Sequence, residues 1–269
     1  MINAIAFTVF GKDIYWYGII MAFSVLLGIY LAMREAKRLG INPEYIIDFG
    51  LLAIPLAIIG ARVYYVIFSL HAFADNWLRI FYIWEGGIAI YGSLIGGTVA
   101  AIIFCKWRNI KFLKLADIIA PSLIIGQCLG RWGNFFNQEA YGYEISNRLW
   151  KWFPAGVFIE YDQKWHMATF FYESIWDLFV FIVLIYHRKK ARFDGEIFII
   201  YLVFYSLGRI FVEGLRTDSL MLGSIRVSQL LGIILVIGAG TYFIWKRKKL
   251  ALISSNQKGS SEQDSEKQN

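Results

Sequence analysis

Between Gly130 and Gly142 the chain reads Gly-Arg-Trp-Gly-Asn-Phe-Phe-Asn-Gln-Glu-Ala-Tyr-Gly, with an arginine, three side-chain amides and a carboxylate close together. A guanidinium grips a phosphate or carboxylate through two parallel hydrogen bonds. Amides orient a polar ligand, and glycine lets backbone approach it closely. If helix persists, Asn134 and Asn137 share a face, being three residues apart. Tyr205, Arg209, Glu213 and Arg216 are spaced four, four and three, which predicts one helical stripe. The blander alternatives are a polar helix end wetting itself and a salt-bridged helix face of little energetic worth.

The elements that position these residues are apolar. The chain has 269 residues, 58% hydrophobic and 17% charged, against about 25% charged in a soluble domain. Disordered, collagen-like and disulfide-framework classes are excluded, and Cys105 and Cys128 both sit in apolar stretches. Seven runs suit a spanning helix of roughly 20 residues: 14–33, 45–68, 86–105, 115–136, 167–186, 197–212 and 227–245. The sixth can extend past Glu213. Arg34 to Arg38 directly follow the first run and no basic region precedes it beyond Lys12, so it reads as an anchor and not a cleaved signal. Fifteen basic residues gather at the ends marked by Arg34–Arg38, Lys106–Lys114, Arg188–Arg192 and Lys246–Lys249, against seven at the opposite ends. The positive-inside rule puts the first set in the cytoplasm, the N-terminus outside and the C-terminus inside.

The reading is therefore an all-α polytopic membrane protein with seven transmembrane helices. Residues 1–250 form the membrane domain, with a small extracytoplasmic cap at about 137–166, and 251–269 form a disordered polar cytoplasmic tail. The formal charge of +7 reflects topology and the lipid bilayer, not a nucleic-acid surface. Asn42-Pro43 reads as a helix start. Gly92/Gly96 and Gly126/Gly130 have the small-xxx-small spacing of close helix packing.

Depth then sharpens the chemistry. Arg62 lies 18 residues past Glu44, Arg131 lies 17 past Lys114, and Arg209 lies 17 past Arg192. At 1.5 Å per residue each is about 25–27 Å from the cytoplasmic side, in a hydrocarbon core about 30 Å thick. Three arginines at the outer headgroup level point to a site for a phospholipid phosphate. The alternative is snorkelling or pairing with acids such as Glu173 and Asp177.

At these residues the chain resembles the bacterial phosphatidylglycerol–prolipoprotein diacylglyceryl transferase family. The family signature Gly-Arg-x-Gly-Asn-Phe-x-Asn-x-Glu-x-x-Gly is met by Gly130, Arg131, Gly133, Asn134, Phe135, Asn137, Glu139 and Gly142. Tyr15–Gly18, Gly60–Arg62, Glu85–Ile88 continuing into Gly92, Asp117–Pro121 and Tyr205–Arg216 are further family-like stretches, so the resemblance runs from about 15 to 245. It departs in two places. Many members carry a histidine where this chain has Tyr91, and His166-Met167-Ala168-Thr169 replaces the His-Pro-Thr often found before Tyr172-Glu173.

The resemblance implies transfer of the diacylglyceryl group of phosphatidylglycerol to the lipobox cysteine thiol of a prolipoprotein that still carries its signal peptide. A thioether forms and glycerol phosphate leaves, in the bacterial cytoplasmic membrane and on its extracytoplasmic side. Arg131 and Arg209 would hold and polarise the departing phosphate. Asn134, Asn137, Tyr17, Tyr205, Gly142 and Arg216 complete the expected headgroup site. The thiol, with a free pKa of about 8.5, needs activation. Glu139, Glu213 or a neighbouring guanidinium could supply it; a neutral tyrosine is a poor base, so Tyr91 more plausibly orients a group. His71, His166 and His187 read as non-catalytic. No metal or other cofactor is implied, since histidines and acids do not cluster with ligand spacing. An anion channel would need polar residues down to the cytoplasmic face, and an intramembrane protease at Ser93 would need an intramembrane histidine.

Overall fold

The computed structural model describes residues 3–217, 220–223 and 225–266, with side chains described as far as Ile253 except for Leu222. Its long helices are α1 (Trp16–Arg38), α2 (Glu44–Phe68), α3 (Ile90–Arg108), α4 (Phe112–Asn137), α5 (Thr169–His187), α6 (Glu196–Leu215) and α7 (Val227–Glu266). All seven are long and apolar enough to cross a membrane, and they coincide with the seven apolar runs. The sixth reaches Leu215, beyond Glu213 as anticipated. α7 takes in most of the polar tail, whose side chains from Ser254 onward lie outside the described residues.

The chain is mostly helical rather than all-α. Among the described residues, three two-stranded antiparallel sheets lie outside the long helices: β1 (Ile5–Val9) with β2 (Lys12–Tyr15) before α1, β3 (Gly156–Ile159) with β4 (Lys164–Met167) between α4 and α5, and β5 (Met221–Leu222) with β6 (Ile225–Arg226) between α6 and α7. Each is a hairpin with a short turn, and such strands carry too few residues for a period-two pattern to stand out beside twenty-residue apolar runs.

The fold divides into two compact units. One combines residues up to Gly28 with those from Ala120 onward; the other is Ile29–Ile119. In the second unit, Phe104, Leu115, Ile118 and Ala36 form a closed apolar core. α2 and α3 touch backbone to backbone: a Cβ on Gly92 would lie 2.2 Å from the Gly60 carbonyl oxygen, and one on Gly96 would lie 2.2 Å from that of Leu56. The Gly92/Gly96 reading is thus met. Gly126/Gly130 is not a packing motif, because a Cβ on Gly126 meets nothing within 4 Å and one on Gly130 meets Met21 Sδ at an ordinary 3.7 Å. At the start of α2, Asn42 Oδ1 accepts from the Glu44 amide at 3.0 Å, and Pro43 holds a helical φ of −59°.

Arg62 has a different job from the one its depth suggested. Its Nε donates to the Ile80 carbonyl at 2.8 Å, Nη1 donates to Gly86 and Gly87 at 2.7 and 2.8 Å, and Nη2 donates to Arg79 at 2.5 Å. The loop between α2 and α3 is a chain of short 3-10 turns, Leu70–Phe73, Trp77–Phe81 and Ile83–Glu85. One buried guanidinium gathers four carbonyls from this loop. Depth in the bilayer could not distinguish a guanidinium that binds lipid from one that organises a loop.

In the first unit, α5 and α6 close on Val180, Leu184, Ile197 and Ile200. Gly208 admits the Trp176 indole, which a Cβ would approach to 2.1 Å, and Trp176 Nε1 donates to the Phe204 carbonyl at 2.8 Å. The β3–β4 hairpin, in register from Gly156↔Met167 to Ile159↔Lys164, buries Val157 and Ile159 beside Ala168 and Phe170, with Trp132 and Phe135 packed around them. The segment expected as a cap therefore shares a core with the ends of α4 and α5.

Candidate active site

α4 ends in a tight reversal. Gln138 adopts a left-handed φ of +50° and Ala140 one of +57°, while the Glu139 amide reaches back to the Asn134 carbonyl at 3.0 Å and that of Gln138 to Phe135 at 3.1 Å. This pair of bonds satisfies terminal carbonyls in the manner of a Schellman closure. The reversal folds Glu139 over the last helical turn. Its Oε1 accepts from Asn134 Nδ2 at 2.8 Å and from Asn137 Nδ2 at 3.4 Å. The two asparagines do share a face, and there they hold a carboxylate.

One turn back, Arg131 Nη2 donates to Glu173 Oε1 of α5 at 2.5 Å, and Nη1 faces Asn134 Oδ1 at 3.5 Å. Arg209 of α6 meets the same acid, with Nη1 at 3.2 Å from both Glu173 oxygens, and its Nη2 lies 2.6 Å from Glu213 Oε2. Glu173 is thus a buried carboxylate, its side chain 3% exposed, shared by two guanidiniums that each keep 20% of their surface open. The ends of Arg131 and Arg209 face one point from two helices, and Arg131 Nε has no hydrogen-bond partner among the described residues. Two fixed guanidiniums, each a fifth exposed, suit a phosphate oxygen pair.

The glycines and tyrosines of the stretch have steric reasons. A Cβ on Gly133 would fall 2.5 Å from Tyr17 Cδ2, so the Tyr17 ring packs closely against α4 at this glycine. Trp16 beside it stacks on Phe136 at 5.2 Å. Gly142 is buried and bridges Arg216 as an isolated antiparallel pair; a Cβ there would meet the Leu215 carbonyl at 2.7 Å. Its role is close backbone passage. Tyr205 stacks on Tyr201 at 5.7 Å within α6. Arg216 does not continue the stripe of Tyr205, Arg209 and Glu213: the helix closes at Leu215, and Arg216 turns to extended φ −86°, ψ 152°. Arg226 caps that end, donating to the Glu213 carbonyl, to the Arg216 carbonyl at 3.2 Å and to Tyr143 Oη at 2.9 Å. Tyr91 belongs to the other unit, where its ring lies 6.3 Å from that of Tyr64.

His166 and His187 have structural partners. His166 bonds the Gly142 carbonyl through Nδ1 at 2.9 Å and Asp162 through Nε2 at 2.7 Å. Partial desolvation opposes ionisation of Asp162, but the His166 ring and the Lys164 charge outweigh it and hold that carboxyl below the usual carboxylate range. His187 joins Arg247 on the buried Glu196. No group of three or more potential metal ligands occurs among the described residues.

The prolipoprotein diacylglyceryl transferase family model matches residues 4–245. The chain belongs to that family. It is similar to the phosphatidylglycerol–prolipoprotein diacylglyceryl transferase of Oceanobacillus iheyensis, 45% identical over 258 residues that cover 93% of this chain and 90% of that protein. Similar matches are the Clostridioides difficile protein of that name, 44% identical over 92% of this chain and 96% of its own, and that of Streptococcus equi, 45% identical over 96% of this chain and all of its own. Within this diacylglyceryl transferase chain, the stretch from Gly130 to Gly142 closes α4 and presents Arg131. Glu173, named at first only as a possible pairing acid, is the residue that joins the two arginines. Its signal in the sequence was an acid inside an apolar run.

Gly133→Ala is expected to displace the Tyr17 ring and to destabilise the fold by about 1–3 kcal/mol, the range for overpacking a tight contact. A lowered thermal midpoint of the purified variant, with most of the loss in activity following it, is the check. An unchanged midpoint would show that the ring yields freely.

Proposed function

We propose that this protein moves the diacylglyceryl group of phosphatidylglycerol onto the thiol of a prolipoprotein's lipobox cysteine, releasing glycerol phosphate. Family membership supports the reaction, and the observation that carries the mechanism is the pair of guanidiniums joined by Glu173. The headgroup phosphate engages Arg131 and Arg209. A sulfur–carbon bond forms as the carbon–oxygen bond to phosphate breaks, and the electron pair of the broken bond goes to the phosphate oxygen. Charge grows where the guanidiniums are already fixed, so they stabilise the transition state more than the bound lipid.

Glu139 takes the thiol proton. It is exposed at the helix end and held by two amide donors, whereas Glu213 is buried and ion-paired with Arg209. Asn134 and Asn137 act by holding Glu139, Tyr17 and Tyr205 line the headgroup site, and Gly142 and Arg216 frame it. Tyr91 is not the base, and Tyr91→Phe is expected to keep transfer within about tenfold of the parent. A loss of several orders of magnitude with lipid binding intact would assign its hydroxyl an essential part.

Purified protein incubated with phosphatidylglycerol and a lipobox peptide tests the reading. A diacylglyceryl mass increment on the peptide supports it, and an unmodified peptide overturns it. The cap and both substrates meet on the extracytoplasmic side, a reading supported by the basic-residue bias. With Cys105 and Cys128 buried, a cysteine at exposed Tyr161 should react with an impermeant maleimide on intact cells, and one at exposed Lys190 should not. The reverse pattern would invert the topology.

A further inference from the structure

The cap holds a stretch whose surface does not suit water. From Arg148 to Phe153 the chain reads Arg-Leu-Trp-Lys-Trp-Phe, and every one of these residues is exposed. Leu149 is 78% exposed, and Trp150, Trp152 and Phe153 keep about half of their surface open. The polar main chain, in contrast, bonds to itself. Asn147 Oδ1 accepts from the Leu149 amide at 3.0 Å, the Asn147 carbonyl from that of Trp150 at 3.1 Å, and the Arg148 carbonyl from that of Lys151 at 3.2 Å. Trp152 Nε1 donates to the Leu149 carbonyl at 2.9 Å, so the one polar atom of that indole is already bonded.

Two sets of contacts fix the level of this surface. Phe153 packs on Phe170 and Phe171 at the start of α5, with ring centres 6.4 and 5.1 Å apart, and on Trp132 of α4 at 6.5 Å. Tyr172 of α5 donates through its hydroxyl to the Ala155 carbonyl. The stretch is thus tied to the ends of two helices that are long and apolar enough to cross a membrane. That is the level of lipid headgroups, where Trp is at home with its ring among acyl chains. Water thins out there, so a segment that enters must bond its own amides, as this one does. Arg148 and Lys151 alternate with the apolar residues, and their long stems let the charges reach phosphates while the neighbouring side chains sink.

We propose that residues 148–153 dock the cap on the bilayer surface beside these helix ends, with Leu149, Trp150 and Trp152 set among the upper acyl chains and Arg148 and Lys151 on lipid phosphates. The occupant is a leaflet containing an anionic phospholipid, because cations and no acids are interleaved with the apolar side chains of this stretch. The inference concerns where the cap rests and needs neither turnover nor an acceptor. That the leaflet is the outer one rests on the topology proposed above.

A nitroxide label on the full chain, reconstituted in vesicles, tests this directly. Cys105 and Cys128 are buried, so Leu149→Cys can be labelled alone. Tyr161→Cys, at a position 93% exposed in the turn between β3 and β4, gives the reference within the same cap. Electron paramagnetic resonance with oxygen and a water-soluble nickel chelate as relaxants reads the depth of each label. In vesicles containing phosphatidylglycerol the label at 149 is expected about 5–10 Å into the boundary between headgroups and acyl chains, and the label at 161 in water. In phosphatidylcholine alone the ratio of docked to free cap should fall, by up to about fivefold for each of the two basic charges. Arg148→Gln combined with Lys151→Gln should abolish that dependence on lipid charge. A label at 149 as open to the nickel chelate as the one at 161, in both kinds of vesicle, would overturn the inference. Protection that appears only on adding a lipobox peptide would overturn it too, and would make the stretch a peptide-docking surface. Equal depth with and without phosphatidylglycerol would overturn the assignment to an anionic leaflet. Because depth is read without turnover, an unmodified peptide in the transfer assay would defeat the proposed reaction and leave this result standing.

Discussion

Arg131→Ala and Arg209→Ala are each expected to lower the rate of diacylglyceryl transfer by at least about 10²–10³-fold, the usual cost of removing one fixed donor from a site where anionic charge develops. The two residues stand on different helices, α4 and α6, yet converge on one carboxylate. Neither can be replaced by the other, because each approaches Glu173 from its own side. Lysine should restore little activity, since a point charge lacks the planar fork that spans two phosphate oxygens. The variants keep the apolar character of their helices and should still insert, which detergent extraction and size-exclusion behaviour will show. Transfer near the parent rate by either alanine variant would remove that arginine from the mechanism.

The second large effect concerns Glu173, which reaches the lipid only through the arginines. Glu173→Gln preserves volume but releases both guanidiniums from their common anchor. Displacement by about 1 Å can cost a factor of about 10² in rate, and a loss of that size in kcat is expected. The KM for phosphatidylglycerol should not rise, because a competing anion has been removed from the phosphate site. Stability should fall by an amount toward the lower end of the roughly 3–5 kcal/mol seen when one partner leaves a buried pair. The discount follows from the exposed fifth of each guanidinium and from the Glu213 contact that Arg209 retains. A kcat close to the parent value would show that the arginines need no anchor, whatever happens to the thermal midpoint.

How much of this was legible in the sequence depended on length scale. Twenty-residue apolar runs announce themselves, and the seven helices fall where those runs lie. The Gly92/Gly96 approach was legible because spacing and geometry coincide when two helices run side by side. The same spacing at Gly126/Gly130 leads nowhere, because spacing says nothing about what stands opposite. The three hairpins were missed since strands of two to five residues leave no periodic trace.

The site shows the same division. Arg131, Asn134, Asn137 and Glu139 could be grouped because they are neighbours in sequence, and the structure does bring them together. Arg62 was grouped with Arg131 and Arg209 by depth, but depth is one coordinate out of three, and its donors serve the loop carbonyls of Arg79, Ile80, Gly86 and Gly87. Arg216 was placed on a helical stripe that ends one residue before it. Glu173 and Asp177 were visible as acids in an apolar run, but that one joins two arginines and the other meets no donor is a property of packing between α4, α5 and α6.

The most direct test of the central claim is a cryo-electron microscopy map of the full chain with phosphatidylglycerol bound. The account predicts headgroup phosphate oxygens at hydrogen-bonding distance, about 3 Å, from the guanidiniums of both Arg131 and Arg209. A map that placed the phosphate elsewhere, with both arginines still engaged wholly by Glu173 and Glu213, would contradict it.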